Sequence, residues 1–156
     1  MSGTGKSSVI RALASRGYKA VDTDYDGWSH LVDVPPGASA GGRATQDWLW
    51  REDGIAELLA NEDVDVLFIS GAAPNQSKFY PQFDHILLLT APASVMVERL
   101  VTRTNNPYGK RTGELERILD HKRRIEPILQ RAATAVIDTS GPLDQVVEEI
   151  LRRVLV

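Results

Sequence analysis

The chain has 156 residues, 42% hydrophobic and 25% charged, which is the size and composition of one globular domain with a single core. It has no cysteine, which excludes disulfides, thiolate metal sites and cysteine nucleophiles and suits a cytoplasmic protein. The net charge of -3 gives no general attraction to nucleic acid, and no apolar run approaches the ~20 residues of a membrane helix. We therefore expect no nucleic-acid partner, no membrane and no secretory signal, while the oligomeric state stays open.

The first half of the chain alternates apolar segments with segments rich in turn residues. Apolar spacing predicts a helix over about Lys6–Arg16, and YKAVDTD, residues 18–24, predicts a short strand that ends in acids. Residues 27–43 carry the prolines and glycines of a loop, and residues 46–61 return to a helical pattern. VDVLFISG, residues 64–71, is typical of a strand buried on both faces.

The second half repeats this alternation. It predicts strands over residues 85–92 and 134–141, helices over about residues 92–104 and 143–154, and a mobile basic loop over residues 105–113 followed by another amphipathic helix. Pro127 should kink or interrupt that helix. Strands alternating with helices predict an α/β fold with a parallel sheet and helices on both faces, whose ligands bind beyond the carboxyl ends of the strands.

The opening SGTGKSS, residues 2–8, has the composition of a phosphate-binding loop. Such a loop needs glycines that let backbone N–H groups surround phosphate oxygens, a helix N-terminus directed at the same anion, and a lysine for the outer phosphates. The residues predicted to bind nucleotide phosphates are Gly3, Thr4, Gly5, Lys6, Ser7 and Ser8, with the Ser7 hydroxyl as a magnesium ligand. The alternative is a glycine-rich turn before an ordinary helix.

The loop pattern is incomplete at its front. The full pattern is G-x-x-x-x-G-K-[ST], so its first glycine would stand one position before Met1, after a strand that is also missing. We expect the chain to begin late, because a missing central strand would leave its two neighbours with unpaired backbone groups. A protein that tolerates an incomplete loop is the alternative.

The opening motif, together with VDTD at residues 21–24, resembles the small P-loop kinases of the shikimate kinase, gluconate kinase and adenylate kinase group. The resemblance implies a three-layer P-loop NTPase fold similar to that of nucleoside monophosphate kinases, with ATP and Mg²⁺ as cofactors. It implies one domain over residues 1–156, with an acceptor-binding region over about residues 25–60 and a lid over about residues 104–114.

By this resemblance, Asp22 and Asp24 form the acidic pair of these kinases. Asp22 would join Ser7 in the magnesium shell, and Asp24 would orient and deprotonate the attacking hydroxyl. A solvated turn is the alternative, since aspartates favour turns. The LFIS strand ends at Gly71, where GTPases and many ATPases carry an acid. A glycine there would let an acceptor approach the backbone, as in shikimate kinases.

The segment ERLVTRTNNPYGKRTG, residues 98–113, resembles the lid of these kinases, which closes over the phosphates and excludes water. Lys110 and Arg111 would bring a cation to the transferring phosphoryl group, while Arg103 and Pro142 would pack on the two faces of adenine. A solvated basic loop and an exposed arginine at a helix end are the alternatives.

The segment DWLWRED, residues 47–53, falls in the acceptor-binding region. Arg51 would pair with an anionic acceptor, and Trp48 or Trp50 would stack on a ring or line its pocket. Core packing is at least as good an interpretation of each tryptophan. Asn75 and Gln76 are further candidates for hydrogen bonds to an acceptor.

These features predict an ATP-dependent phosphotransferase that moves the γ-phosphoryl group to a hydroxyl or phosphate acceptor on a small molecule. Its catalytic residues would be Lys6, Asp24, Lys110 and Arg111. An ATP-binding module that senses or scaffolds without transfer is the alternative. A GTPase switch is disfavoured because no N-K-x-D motif occurs, and a polynucleotide end kinase lacks an evident basic groove.

Overall fold

The computed structural model describes residues 1–39, 45–104 and 106–155, so what was predicted for residues 40–44 and for Asn105 lies outside the described residues. Two compact units divide the chain. The first unit comprises Met1–Ala12 and His85–Val156, and the second comprises Leu13–Asp84.

The order of helices and strands follows most of the predicted alternation. In chain order the elements are α1 (Lys6–Ser15), β1 (Lys19–Asp22), β2 (Ser29–Asp33), β3 (Gln46–Trp50), α2 (Glu52–Ala60), β4 (Leu67–Ser70), a 3₁₀ helix (Gln76–Gln82), β5 (Leu87–Thr90), α3 (Ala93–Thr102), α4 (Glu114–Ala132), β6 (Ala135–Asp138) and α5 (Leu143–Val154). No described helix is both long enough and apolar enough to cross a membrane.

The predicted apolar strands pair in parallel, in two pairs within the described residues rather than in one continuous sheet. In the second unit β1 pairs with β4, and Asp22 lies opposite Ser70 at the carboxyl ends. In the first unit β5 pairs with β6, and Thr90 lies opposite Asp138. Each pair therefore presents polar residues at the strand ends, where parallel sheets bind ligands.

The acceptor-binding region contains an antiparallel hairpin that the sequence patterns did not predict. Residues 46–50 form β3 rather than the first turns of a helix, and β2 lies within the segment predicted as loop, so both predictions were wrong. Two tryptophans within five residues favour extended backbone, and their partner strand lies outside any local window. The helix begins only at Glu52, where acids in its first turn suit the helix dipole.

Helix α4 continues through Pro127, so the predicted interruption does not occur. The ring removes the N–H that would bond to the carbonyl of Arg123. Both residues are exposed, so water can satisfy that carbonyl.

Each unit has its own apolar cluster. In the first unit Met96 and Leu100, one helical turn apart on α3, pack with Ala91 and Ile118. In the second unit, the buried cluster is Trp50, Ile55, Ala73 and Phe79. Burying a large apolar side chain stabilises a fold by about 1.5–3 kcal/mol, so these clusters hold the polar strand ends in fixed positions.

Candidate functional site

The loop before α1 has a backbone that only glycine adopts easily. Gly3 has φ of 82° and Gly5 has φ of 90°, both in the left-handed region. A Cβ atom on Gly3 would lie 3.3 Å from the Cγ of Leu100 and 3.3 Å from the carbonyl oxygen of Met96. Because α1 begins at Lys6, the first N–H groups of the helix adjoin the loop and lack helical acceptors. This donor set fits a phosphate group.

Lys6 and Thr4 fold back onto the start of the loop. The Nζ of Lys6 donates to the carbonyl oxygen of Met1 at 2.7 Å, and the Oγ1 of Thr4 donates to the same oxygen at 3.0 Å. Thr4 is buried, so its hydroxyl serves the loop itself. An ammonium group has three donors, so the bond of Lys6 leaves capacity for phosphate oxygens.

His121 lies near several charged groups of the first unit. Burial lowers the pKa of His121, and the neighbouring cations of the N-terminus, Arg124 and Lys6 lower that pKa further. The pKa of His121 therefore lies below the ordinary histidine value of about 6.5, so its imidazole is neutral at pH 7, and the guanidinium of Arg124 pairs with the Asp120 carboxylate at 2.8 Å.

Arg99 and Thr139 bond to carbonyl oxygens of the loop, and neither residue was predicted from the sequence. The Nη1 of Arg99 donates to the Gly3 carbonyl at 3.3 Å and to the Oγ1 of Thr139 at 2.9 Å, and its Nη2 donates to the Thr139 carbonyl. The Oγ1 of Thr139 is 2.8 Å from the Thr4 carbonyl. Arg99 stands in the sequence between Met96 and Leu100, which are both buried. An arginine at such a position is the sequence feature that could have predicted a hydrogen-bond partner inside the protein.

Asp22 and Asp24 lie together at the end of β1. The Oδ1 of Asp22 accepts a hydrogen bond from the backbone N–H of Asp24 at 3.2 Å. Thr23 between them is fully buried, and both its N–H and its hydroxyl donate to the Ser70 carbonyl at 2.8 Å. Asp22 is the last residue of β1 and Asp24 lies in the turn that follows, where the N–H of Tyr25 donates to the Asp22 carbonyl at 3.2 Å, so the anchor at Thr23 holds the turn that carries both carboxylates.

The predicted magnesium ligands belong to different units, Ser7 to the first and Asp22 to the second. No cluster of three or more His, Asp or Glu side chains that could hold a metal occurs within residues 1–39, 45–104 and 106–155. Magnesium bound to a nucleotide needs only one or two protein oxygens, since phosphates and water complete its shell. The hydroxyl of Ser7 and the carboxylate of Asp22 have the oxygen chemistry that such an ion takes.

Gly71 is required by close packing at the end of β4. A Cβ atom there would lie 1.9 Å from the Oγ1 of Thr23 and 3.1 Å from the Nε1 of Trp50. Within the described structure, the indole N–H of Trp50 and the hydroxyl of Ser70 are buried without a hydrogen-bond partner. The glycine at this position therefore has a structural explanation beside its predicted role in acceptor binding.

The two tryptophans of the hairpin have different surroundings. Trp50 is 5% exposed and its ring centroid lies 5.9 Å from that of Phe79, so it is a core residue. Trp48 is half-buried and lies opposite the exposed Leu31 on β2, which leaves part of its ring accessible to a ligand.

Arg51 is exposed at the boundary between β3 and α2, and its backbone N–H donates to the Trp28 carbonyl at 2.8 Å. The amides of Asn75 and Gln76, predicted as acceptor contacts, bond within the protein. Asn75 bonds to the main chain of Trp50, and the Oε1 of Gln76 accepts the Ala73 N–H at 3.0 Å. These amides therefore fix the loop after β4.

Within the lid predicted over about residues 104–114, the described residues 106–114 are held by local hydrogen bonds. Arg103 donates from Nε to the Asn106 carbonyl at 3.0 Å and from Nη2 to the Tyr108 carbonyl. The carboxylate of Glu114 accepts the N–H of Gly109 at 3.0 Å and of Arg111 at 3.1 Å. These backbone bonds, with Arg111 contributing most, lower the pKa of Glu114. Lys110 and Arg111 themselves are exposed, as is Pro142 at the start of α5.

Comparison with known proteins gives the family. The family model described as AAA domain matches residues 1–123. Shikimate kinase 2 of Serratia proteamaculans (strain 568) is 30% identical, over 96% of this chain and 88% of that protein. Shikimate kinase 2 of Yersinia enterocolitica is 29% identical, with the same two coverages.

This chain belongs to the AAA domain family, among the P-loop small-molecule kinases. The resemblance drawn from SGTGKSS and VDTD is thereby confirmed. The matched residues 1–123 contain the glycine loop, both carboxylates of the predicted acidic pair and the predicted lid segment, while Pro142 lies beyond them.

A solved structure confirms the fold class of this chain. The crystal structure of TT1252 from Thermus thermophilus matches with a TM-score of 0.57, covering 98% of this chain and 91% of that one at 18% identity. The α/β fold with parallel strands and helices is that of P-loop NTPases related to nucleoside monophosphate kinases.

Proposed function

We propose that this chain is an ATP-dependent phosphotransferase that moves the γ-phosphoryl group to a hydroxyl group of a small molecule. The observation that supports it most is the glycine loop directly before Lys6, with both glycines in the left-handed region, in a chain similar to two shikimate kinases. Phosphoryl transfer depends mainly on positioning and on charge stabilisation, and the first unit supplies donors for both.

The nucleotide-binding residues come from the first unit. The N–H groups from Gly3 to Ser8 would surround the β-phosphate, and the ammonium of Lys6 would bind the β- and γ-phosphates. Magnesium, when bound, would neutralise charge on these phosphates, and the hydroxyl of Ser7 and the carboxylate of Asp22 are the residues proposed to hold it. Arg103 and Pro142 are proposed to contact adenine.

The acceptor-binding residues come from the second unit. Asp24 would orient the acceptor hydroxyl and take its proton as the oxygen attacks the γ-phosphorus in line with the leaving ADP oxygen. The exposed guanidinium of Arg51 would pair with an anionic group of the acceptor, while Trp48 and Gly71 would line its pocket.

The lid would supply the remaining cation. Lys110 and Arg111 have exposed side chains on a turn whose backbone Glu114 holds, so they need little ordering to meet a charged phosphoryl group. Their positive charge would offset the negative charge on the equatorial oxygens during transfer.

The test is acceptor-stimulated ADP release across cyclic polyols, sugar acids, nucleosides and nucleotides. We expect Lys6→Met to abolish release and Asp24→Asn to lower transfer much more than ATP binding. Asp26→Asn is the matched control, because Asp26 is an exposed turn residue with φ of 57°, a conformation that asparagine tolerates. Unchanged transfer in Lys6→Met would refute the proposal, and tight ATP binding with no acceptor-stimulated release would favour a sensor or scaffold.

A further inference from the structure

We infer that Arg99 and Thr139 are positioning residues that fix the two peptide groups whose N–H donors face a nucleotide phosphate. That the two residues fix the loop follows from the hydrogen bonds alone. The expected effect on nucleotide affinity rests on the proposed function.

The clasp formed by Arg99 and Thr139 binds carbonyl oxygens of the loop. The Nη1 of Arg99 bonds to the Gly3 carbonyl, and the Oγ1 of Thr139 bonds to the Thr4 carbonyl at 2.8 Å. Arg99 also bonds to Thr139 through both its Nη1 and its Nη2. The two side chains therefore act on the loop as one connected group.

Peptide geometry carries this effect to the amides. In a trans peptide the C=O and the following N–H lie in one plane and point in opposite directions. Holding the Gly3 carbonyl therefore fixes the N–H of Thr4 on the other side, and holding the Thr4 carbonyl fixes the N–H of Gly5 in the same way. Without these bonds the planes could rotate, because glycine on each side of Thr4 allows many backbone angles.

The surroundings of the clasp are rigid enough for this role. Thr139 is buried directly after β6, and its N–H donates to the Thr90 carbonyl of β5 at 2.8 Å. Arg99 lies on α3 between Met96 and Leu100, which are both fully buried. The loop is thus tied to a strand end and to a packed helix at the same time, which preorganises its donors before a ligand arrives.

The direct measurement is the ¹⁵N order parameter of the Thr4 and Gly5 amides in the nucleotide-free protein, with the affinity for MgATP measured in parallel by calorimetry. The variants are Arg99→Met and Thr139→Val, with Thr139→Ser as the rescue that keeps the hydroxyl. Arg153→Met on α5 is the matched control, since Arg153 pairs with Glu149 on the surface.

We expect order parameters typical of rigid backbone, about 0.85, in the wild type, and values below about 0.6 in Arg99→Met and Thr139→Val. MgATP should bind at least ten-fold more weakly to both, while Thr139→Ser and the control resemble the wild type. If Arg99→Met does not fold, the order parameters of Thr139→Val alone test the inference.

The outcomes test the geometry of the loop and the proposed function separately. Rigid Thr4 and Gly5 amides in either folded variant would overturn the inference, even if MgATP bound more weakly, because the residue would then act on the nucleotide directly. Loosened amides in a protein whose wild type does not bind MgATP would uphold the clasp and refute the proposed function.

Discussion

Asn75 bonds to both polar groups of the Trp50 main chain. Its Oδ1 accepts the Trp50 N–H at 3.0 Å, and its Nδ2 donates to the Trp50 carbonyl at 3.0 Å. The carboxamide thus makes the two hydrogen bonds that a neighbouring strand would make to Trp50, the last residue of β3. Arg51 follows one position later. A side chain in the loop after β4 fixes the backbone from which the proposed acceptor arginine extends.

Replacing Asn75 by alanine should destabilise the protein by about 2–4 kcal/mol, because two main-chain groups of a buried residue lose their partners. Urea denaturation followed by tryptophan fluorescence measures this change. Gln130→Ala, at an exposed position of α4, is the control and should change stability by no more than about 0.5 kcal/mol. A loss below about 1 kcal/mol in Asn75→Ala would contradict this role.

Replacing Trp50 by phenylalanine should leave stability unchanged or raise it by about 1 kcal/mol. The substitution removes the buried indole N–H that has no partner in the described structure and keeps an aromatic ring against Phe79. Trp50→Ala should instead cost about 3–5 kcal/mol, because it leaves a cavity. The free energies of unfolding of the two variants test this, and a loss in Trp50→Phe as large as that in Trp50→Ala would contradict the prediction.

Gly71→Ala should be strongly destabilising for steric reasons that are independent of any acceptor. The new Cβ atom would lie 1.9 Å from the Oγ1 of Thr23, a buried hydroxyl bonded to the Ser70 carbonyl. Thr23→Ala should recover part of the loss in the double variant, and a double-mutant cycle measures this coupling. Additive losses would mean that Thr23 does not limit the space at residue 71.

Glu114 should make the order of the lid depend on pH. Two backbone bonds to its carboxylate lower its pKa in the folded protein, so its contribution is complete above the ordinary glutamate pKa of about 4.3 and is lost as the pH falls through the lower folded value. The amide shifts of Gly109 and Arg111, followed by NMR from pH 6 downwards, should move together with a midpoint below about 4.3. Glu114→Gln should remove the transition, and a midpoint above the ordinary value would contradict the assignment.

Features encoded in short stretches were predictable from the sequence. The glycine loop places its chemistry in seven consecutive residues, 2–8, and the apolar run that contains β4 shows its burial directly. The hairpin was missed because β3 is stabilised by β2, whose residues lie 13 to 21 positions away in the chain. A local window over residues 46–50 contains two polar residues followed by three large apolar ones, a pattern that a helix would also accept.

The clasp was not predicted for the same reason, because its bonding partners are even farther apart in the chain. Arg99 and Thr139 are 40 residues apart, and Thr139 and Thr4 are 135 apart, so no spacing rule connects them. The proximity of Asp22 and Asp24 was predictable because they are two residues apart where a predicted strand ends, whereas the internal bonds of Asn75 depend on a strand end 25 residues earlier.

The central claim is that the loop before α1 binds the phosphates of ATP, and calorimetric titration of MgATP into the wild type and Lys6→Met tests it most directly. We predict saturable binding of one nucleotide per chain to the wild type. Loss of a charged hydrogen bond costs about 1.5–3 kcal/mol, so binding to Lys6→Met should be roughly 10 to 100 times weaker. No saturable binding to the wild type, or equal affinities of the two proteins, would contradict the account.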